Sequence, residues 1–144
     1  MDFVLPKFRH RVRARWTECD AQRLVFNATY LNYFEIVQAE YFRALDIPIY
    51  DPNTWETFAY VVRKADCEFL QPVFLDEAID LLMAIHSMGK SSLKVTMAVE
   101  KADNSELAFV CNLLLINFDN DTNASRPVPD WVREKVAAYE EIDG

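Results

Sequence analysis

Residues 29–46 constrain the fold of this chain more than any other stretch. Leu31, Phe34, Val37, Tyr41, Phe42 and Leu45 recur there at helical spacing, while Asn32, Glu35, Gln38, Arg43 and Asp46 gather on one narrow stripe of the helical wheel. A long helix that is apolar over most of its surface has to be enclosed by other elements.

The rest of the chain supplies strands to enclose it. Residues 8–17 alternate Arg9, Arg11, Arg13 and Arg15 with Phe8, His10, Val12, Ala14 and Trp16, which predicts a strand with an apolar face and an arginine face. After the breakers Pro48, Asp51, Pro52 and Asn53, four strand-like runs follow. Residues 57–70 set Ala65, Cys67 and Phe69 against Lys64, Asp66 and Glu68. Residues 78–86 place Ile79, Leu81, Met83 and Ile85 on one face, and residues 92–101 do the same with Leu93, Val95, Met97 and Val99. Ser87-Met88-Gly89-Lys90 turns between these two runs. Leu107 to Ile116 is almost continuously apolar, as suits a strand central in a sheet. A loop from Asp119 to Pro129 then leads to a short helix starting near Asp130. The order strand, helix, four strands, helix predicts an α+β layer architecture.

The 144 residues, 51% of them hydrophobic, are read as a single domain over 1–144 with no linker, repeat or disordered tail. No signal peptide or membrane span is visible, so the expected location is cytoplasmic. A net charge of −8 argues against nucleic-acid binding. Cys19, Cys67 and Cys111 form neither a disulfide framework nor a zinc-type CxxC pair and are read as reduced, structural thiols. Asp119-Asn120-Asp121-Thr122-Asn123 begins like a calcium loop, but Ala124 stands where that loop requires glycine, so no metal site is expected. His10 and His86 sit in strand patterns, which disfavours chemistry that needs a loop histidine.

The stretch Trp16-Thr17-Glu18-Cys19-Asp20-Ala21-Gln22-Arg23-Leu24-Val25-Phe26-Asn27-Ala28-Thr29-Tyr30-Leu31 resembles the signature of the 4-hydroxybenzoyl-CoA thioesterase-like family of hotdog-fold acyl-CoA thioesterases. Tyr60-Val61-Val62-Arg63-Lys64, Phe69-Leu70-Gln71-Pro72-Val73, Gly89-Lys90-Ser91-Ser92 and Arg126-Pro127-Val128-Pro129 extend the likeness over nearly the whole chain. The chain departs from the family pattern where a glycine commonly stands two residues after Asp-Ala, since Arg23 occupies that place. The resemblance implies a hotdog fold, a five-stranded antiparallel sheet wrapped around one long central helix with a short C-terminal helix. It also implies self-association as a homodimer or homotetramer, and it implies an acyl-CoA substrate with no further cofactor.

Thioester hydrolysis needs an attacking group and donors for the developing oxyanion. By resemblance Asp20 is the catalytic carboxylate, acting as nucleophile or as general base. The oxyanion donor is expected to be the backbone amide of Asn27 at the helix start, where unpartnered N–H groups and the positive dipole end favour negative charge. Asn27 is also a favoured N-cap residue, so its side chain has a capping role open to it. Tyr30, Arg63, Lys64, Lys90, Ser91 and Arg126 are the candidates for binding substrate, the cations among them for the phosphates of coenzyme A. The arginine face of the first strand could do the same work or meet acidic residues of a neighbouring subunit. Non-catalytic acyl-CoA binding or sensing on the same fold is the alternative function.

Overall fold

A computed structural model describes residues 4–144. In chain order the elements are β1 (Phe8–Arg13), α1 (Thr29–Ala44), β2 (Tyr60–Phe69), β3 (Ala78–Met88), β4 (Ser92–Lys101), β5 (Leu107–Asp119), β6 (Ala124–Ser125) and α2 (Asp130–Glu140). The main strands lie in the order β1-β3-β4-β5-β2, and every neighbouring pair is antiparallel. The two-residue β6 hairpins back onto β5, so the stretch read as a loop contains a short strand. The apolar β5 is interior as expected, although β4 holds the middle position.

The inner face of the sheet curls around α1. Ile79, Leu81, Met83, Leu93, Val95, Met97, Phe109, Cys111 and Leu115 are buried there against Tyr33, Val37, Tyr41 and Phe42 of the helix. Val132 and Val136 of α2 join the same core. Removing this much apolar side chain from water is the main force holding the helix in the sheet's curl. The stripe carrying Asn32, Glu35 and Arg43 stays exposed, so α1 is enclosed on its apolar faces only. Among the described residues no helix is long and apolar enough to cross a membrane.

The first strand is shorter than its alternation suggests. It ends at Arg13, the Ala14 N–H leaves to the Glu77 carbonyl, and Trp16–Glu18 form a single 3-10 turn. The arginine face meets acids of its own chain, because the register sets Arg11 opposite Asp80. The Arg11 guanidinium grips both Asp80 oxygens at 2.9 and 3.1 Å, and Arg9 bridges Asp80 and Glu100 at 3.0 Å each. Arg13 donates to the Asp76 carbonyl, and Arg15 turns back to Glu18. These four guanidinia are tied within the fold.

Candidate active site

The site loop is built on Glu18, which the sequence reading passed over. Glu18 is 8% exposed, and its carboxylate accepts the Arg15 N–H at 2.8 Å, the Arg15 Nε at 2.8 Å and the Tyr33 hydroxyl at 2.9 Å. Burial by itself would raise its pKa, but these hydrogen bonds outweigh burial and hold it below the ordinary carboxylate value. The Glu18 carbonyl accepts the Phe26 N–H at 3.0 Å and the Thr29 hydroxyl at 3.1 Å. One residue thus fastens both ends of the loop to the start of α1. The signal in the sequence was the three-residue spacing of Arg15 and Glu18, which in a 3-10 turn brings the carboxylate back over the Arg15 N–H and guanidinium.

Cys19 pairs with Val25 across the loop, leaving Asp20 to Leu24 as its exposed tip apart from a half-buried Leu24. The Asp20 N–H donates to the Leu24 carbonyl at 2.9 Å, and Asp20 Oδ1 accepts the N–H groups of Gln22 at 2.8 Å and Leu24 at 3.4 Å. Asp20 Oδ2 has no hydrogen bond among the described residues. Asp20 therefore closes its turn with one oxygen and presents the other. Arg23 completes the turn in the left-handed region at φ 64°, the conformation that glycine adopts without cost. The departure from the family pattern leaves the backbone shape that glycine would favour.

The loop is braced from outside by residues 72–77. The Val25 N–H donates to the Val73 carbonyl at 2.8 Å, the Leu75 N–H to the Arg23 carbonyl at 3.0 Å, and Leu24 pairs with Phe74. Lys101, a buried residue, fixes this brace: its ammonium donates to the Pro72 carbonyl at 2.8 Å and lies 3.0 Å from the Glu77 carboxylate.

At the helix start, Ala28 is the N-cap residue with φ −67° and ψ −23°, and no side chain caps the helix. The capping role open to the Asn27 side chain is therefore not taken. The carbonyls of Phe26, Asn27 and Ala28 accept the N–H groups of Thr29, Tyr30 and Leu31, whereas the N–H groups of Asn27 and Ala28 donate to nothing among the described residues. Two neighbouring amides are thus left open at the positive end of a 16-residue helix.

Tyr30 is buried rather than lining an open surface. Its ring stacks on Phe109 at 4.4 Å and meets Phe69 edge-on at 5.6 Å. Burial, reinforced by the nearby Glu77 charge, pushes its phenol up to about 12, so it stays protonated at neutral pH. Cys19 packs half-buried against the core, and burial followed by the charges of Glu18 and Asp20 raises its thiol pKa, an environment unsuited to a nucleophile.

The candidate phosphate ligands are scattered. Arg63 sits at an irregularity in the β2 register, and both it and Lys64 are exposed on that edge strand. Lys90 and Ser91 form the β3–β4 turn beyond Met88↔Leu93, the end of the sheet opposite to Asp20, whose loop follows the Arg13↔Ala78 pair. Arg126 is committed to the fold: its guanidinium donates to the Asn117 side chain at 3.2 Å and to the Glu56 and Trp55 carbonyls at 2.8 Å each. Asp20, Asn27 and Tyr30 lie on one continuous stretch, the loop and the first turn of α1, and the other candidates lie elsewhere in the fold. No cluster of three or more metal-ligating side chains occurs among the described residues.

A sheet curled around a long helix, with a carboxylate loop leading into two open amides at the helix start, defines a hotdog-fold protein of the thioesterase type. Residues 14–136 match the family model of the Thioesterase-like superfamily, and the chain belongs to that family. The acyl-CoA thioester hydrolase YbgC of Escherichia coli O6:H1 is 31% identical over 100 residues, 69% of this chain and 74% of that protein. Among solved structures, a thioesterase from Thermus thermophilus complexed with coenzyme A and Zn superposes with a TM-score of 0.78 at 26% identity, covering 92% of this chain and 93% of that one. A Staphylococcus aureus protein in complex with CoA shares the fold, with a TM-score of 0.84 at 14% identity over 100% of this chain and 90% of that one.

Proposed function

We propose that this protein hydrolyses acyl-CoA thioesters to the free acid and coenzyme A, with Asp20 as nucleophile or general base and the amides opening α1 as oxyanion donors. The observation that carries this reading is the pair of unpartnered N–H groups at Asn27 and Ala28, on the same short loop as a carboxylate with one open oxygen. Attack on a thioester carbonyl turns its oxygen into an oxyanion, and preoriented amides stabilise that charge without reorganising. The likeness to YbgC, named for acyl-CoA thioester hydrolysis, supports the same substrate class.

A second copy of the chain is part of the proposal. Strand β2 is a ten-residue sheet edge on which Val61 and Val62 are 44% and 51% exposed, a surface that invites strand pairing. Pairing β2 with its own copy about a two-fold axis sets the Tyr60 end of one strand beside the Phe69 end of the other. The Lys90–Ser91 turn of each copy then approaches the Asp20 loop of its neighbour. This arrangement gives those two residues access to coenzyme A that one protomer alone denies them.

One observation favours the binding-only alternative, namely that Asp20 Oδ1 is occupied in closing the turn. Asp20→Asn decides the matter, since the amide oxygen can keep the turn while the charge is lost. Turnover on a panel of aromatic, short-chain and long-chain acyl-CoA substrates is expected to fall by orders of magnitude with circular dichroism unchanged. Wild-type turnover in the folded variant would remove Asp20 from the reaction, and wild-type protein that binds but hydrolyses none of the panel would establish binding alone.

A further inference from the structure

We propose that Cys67 and Cys111 form a thiol pair that a hydroperoxide converts to a disulfide, bonding the edge strand β2 to β5. The two residues are direct partners in the antiparallel β2–β5 register, and their sulfurs lie 3.2 Å apart. Directly opposed residues of an antiparallel pair have Cα separations of about 4.5–5.5 Å, inside the span of about 4.4–6.8 Å that a disulfide bridges. No strand has to slide or unpair for the bond to form. Both side chains point to the core face, so a strand added along the edge of β2 in the plane of the sheet would not cover them.

The roles of the two sulfurs follow from their surroundings. Cys67 is half-buried on an exposed strand, and Cys111 is fully buried beside it on β5. Burial first, and then the contact with Cys67, raises the Cys111 thiol well above the ordinary value, leaving Cys67 as the group that meets an oxidant. The Cys67 thiolate attacks one oxygen of hydrogen peroxide, the O–O bond breaks, and the thiol's proton leaves with the released hydroxide as water. The sulfur of Cys111 then attacks the Cys67 sulfenic acid, the S–O bond breaks as the S–S bond forms, and a second water departs. Two thiols lose two electrons and one peroxide becomes two waters. The bond lies two residues from Phe69 and Phe109, the rings on which Tyr30 rests, so oxidation stiffens the sheet under the start of α1.

The test is intact-mass and peptide mapping of the full chain after hydrogen peroxide, with no activity assay involved. Wild-type protein is expected to lose two hydrogens, to yield a peptide joining Cys67 to Cys111, and to regain them with dithiothreitol. Cys19→Ala should give the same product. In Cys111→Ala the disulfide is impossible, and dimedone should label Cys67 as the trapped sulfenic acid. Hydrogen exchange across residues 60–69 should slow at least severalfold in the oxidised form. A cross-link through Cys19, or wild-type protein that carries oxygen on its cysteines without joining Cys67 to Cys111, would overturn the proposal.

Discussion

The Tyr33 hydroxyl donates to the Glu18 carboxylate at 2.9 Å, tying the second turn of α1 to the turn that precedes Asp20. This bond and the two from Arg15 hold Glu18 ionised in a mostly buried place. A carboxyl whose folded pKa is depressed contributes stability above its unfolded value, and that stability is lost as pH falls through the folded value. Glu18→Gln should cost about 1–3 kcal/mol in urea unfolding at neutral pH, the range for leaving buried hydrogen-bonding groups poorly matched. Because the variant lacks the titrating group, its stability should also fall less than wild type between about pH 5 and pH 3. Parallel acid limbs for the two proteins would show that Glu18 carries no such linkage.

Arg23 holds φ 64° at the tip of the same loop, where any side chain bearing a Cβ is strained by roughly 1 kcal/mol. Its carbonyl accepts the Leu75 N–H, a backbone bond that substitution leaves in place. Arg23→Gly is expected to raise stability by a few tenths to about 1 kcal/mol, the relief being partly offset by the larger entropy of unfolded glycine. Urea melts with an unchanged m-value would check it.

The fold was legible because its strongest signals were periodic. Leu81, Met83, Val95 and Met97 alternate cleanly and are fully buried, and the apolar positions of residues 29–46 form the helix face that they cover. The end of β1 was not legible. Arginines at 9, 11, 13 and 15 keep period 2 through residue 15, whereas the chain bends after Arg13 because Glu18, three residues beyond Arg15, captures both its N–H and its guanidinium. Asp20, Asn27 and Tyr30 were singled out through the family likeness alone, and all three belong to the loop and first turn of α1. Glu18, Lys101 and Glu77 were missed, since a positioning role depends on contacts such as that of Lys101 with Pro72 across the fold, which spacing does not encode. The hold on Arg126 was invisible for the same reason, since its guanidinium donates to carbonyls some 70 residues away in sequence.

If a second copy completes the site, Lys90 and Asp20 act from different chains. Light scattering should then find a dimer or a dimer of dimers at micromolar concentration. Glutamates in place of both Val61 and Val62 should shift it toward monomer, because like charges facing each other across a strand pair oppose association. Lys90→Ala should raise KM for acyl-CoA with kcat little changed, as expected when a phosphate contact is equal in ground and transition states. A monodisperse monomer with full activity would contradict the two-chain site.

Backbone and side-chain roles at the helix start can be separated because alanine keeps an N–H and proline deletes it. Asn27 is exposed, its side chain caps nothing, and its amide has no partner among the described residues, so Asn27→Ala should keep substantial activity. Asn27→Pro removes a donor that the fold does not use, yet losing one oxyanion donor typically costs about a hundred- to a thousandfold in turnover. Ala28→Pro gives an independent reading of the neighbouring amide, since φ −67° at Ala28 already matches the ring of proline, near −65°. Circular dichroism and melting establish for each variant that α1 still forms. If Asn27→Pro loses turnover and Ala28→Pro does not, the oxyanion is held by the Asn27 amide alone; the reverse result assigns it to Ala28. Should Asn27→Ala be as damaging as Asn27→Pro in folded protein, the Asn27 side chain carries the role and the backbone assignment fails.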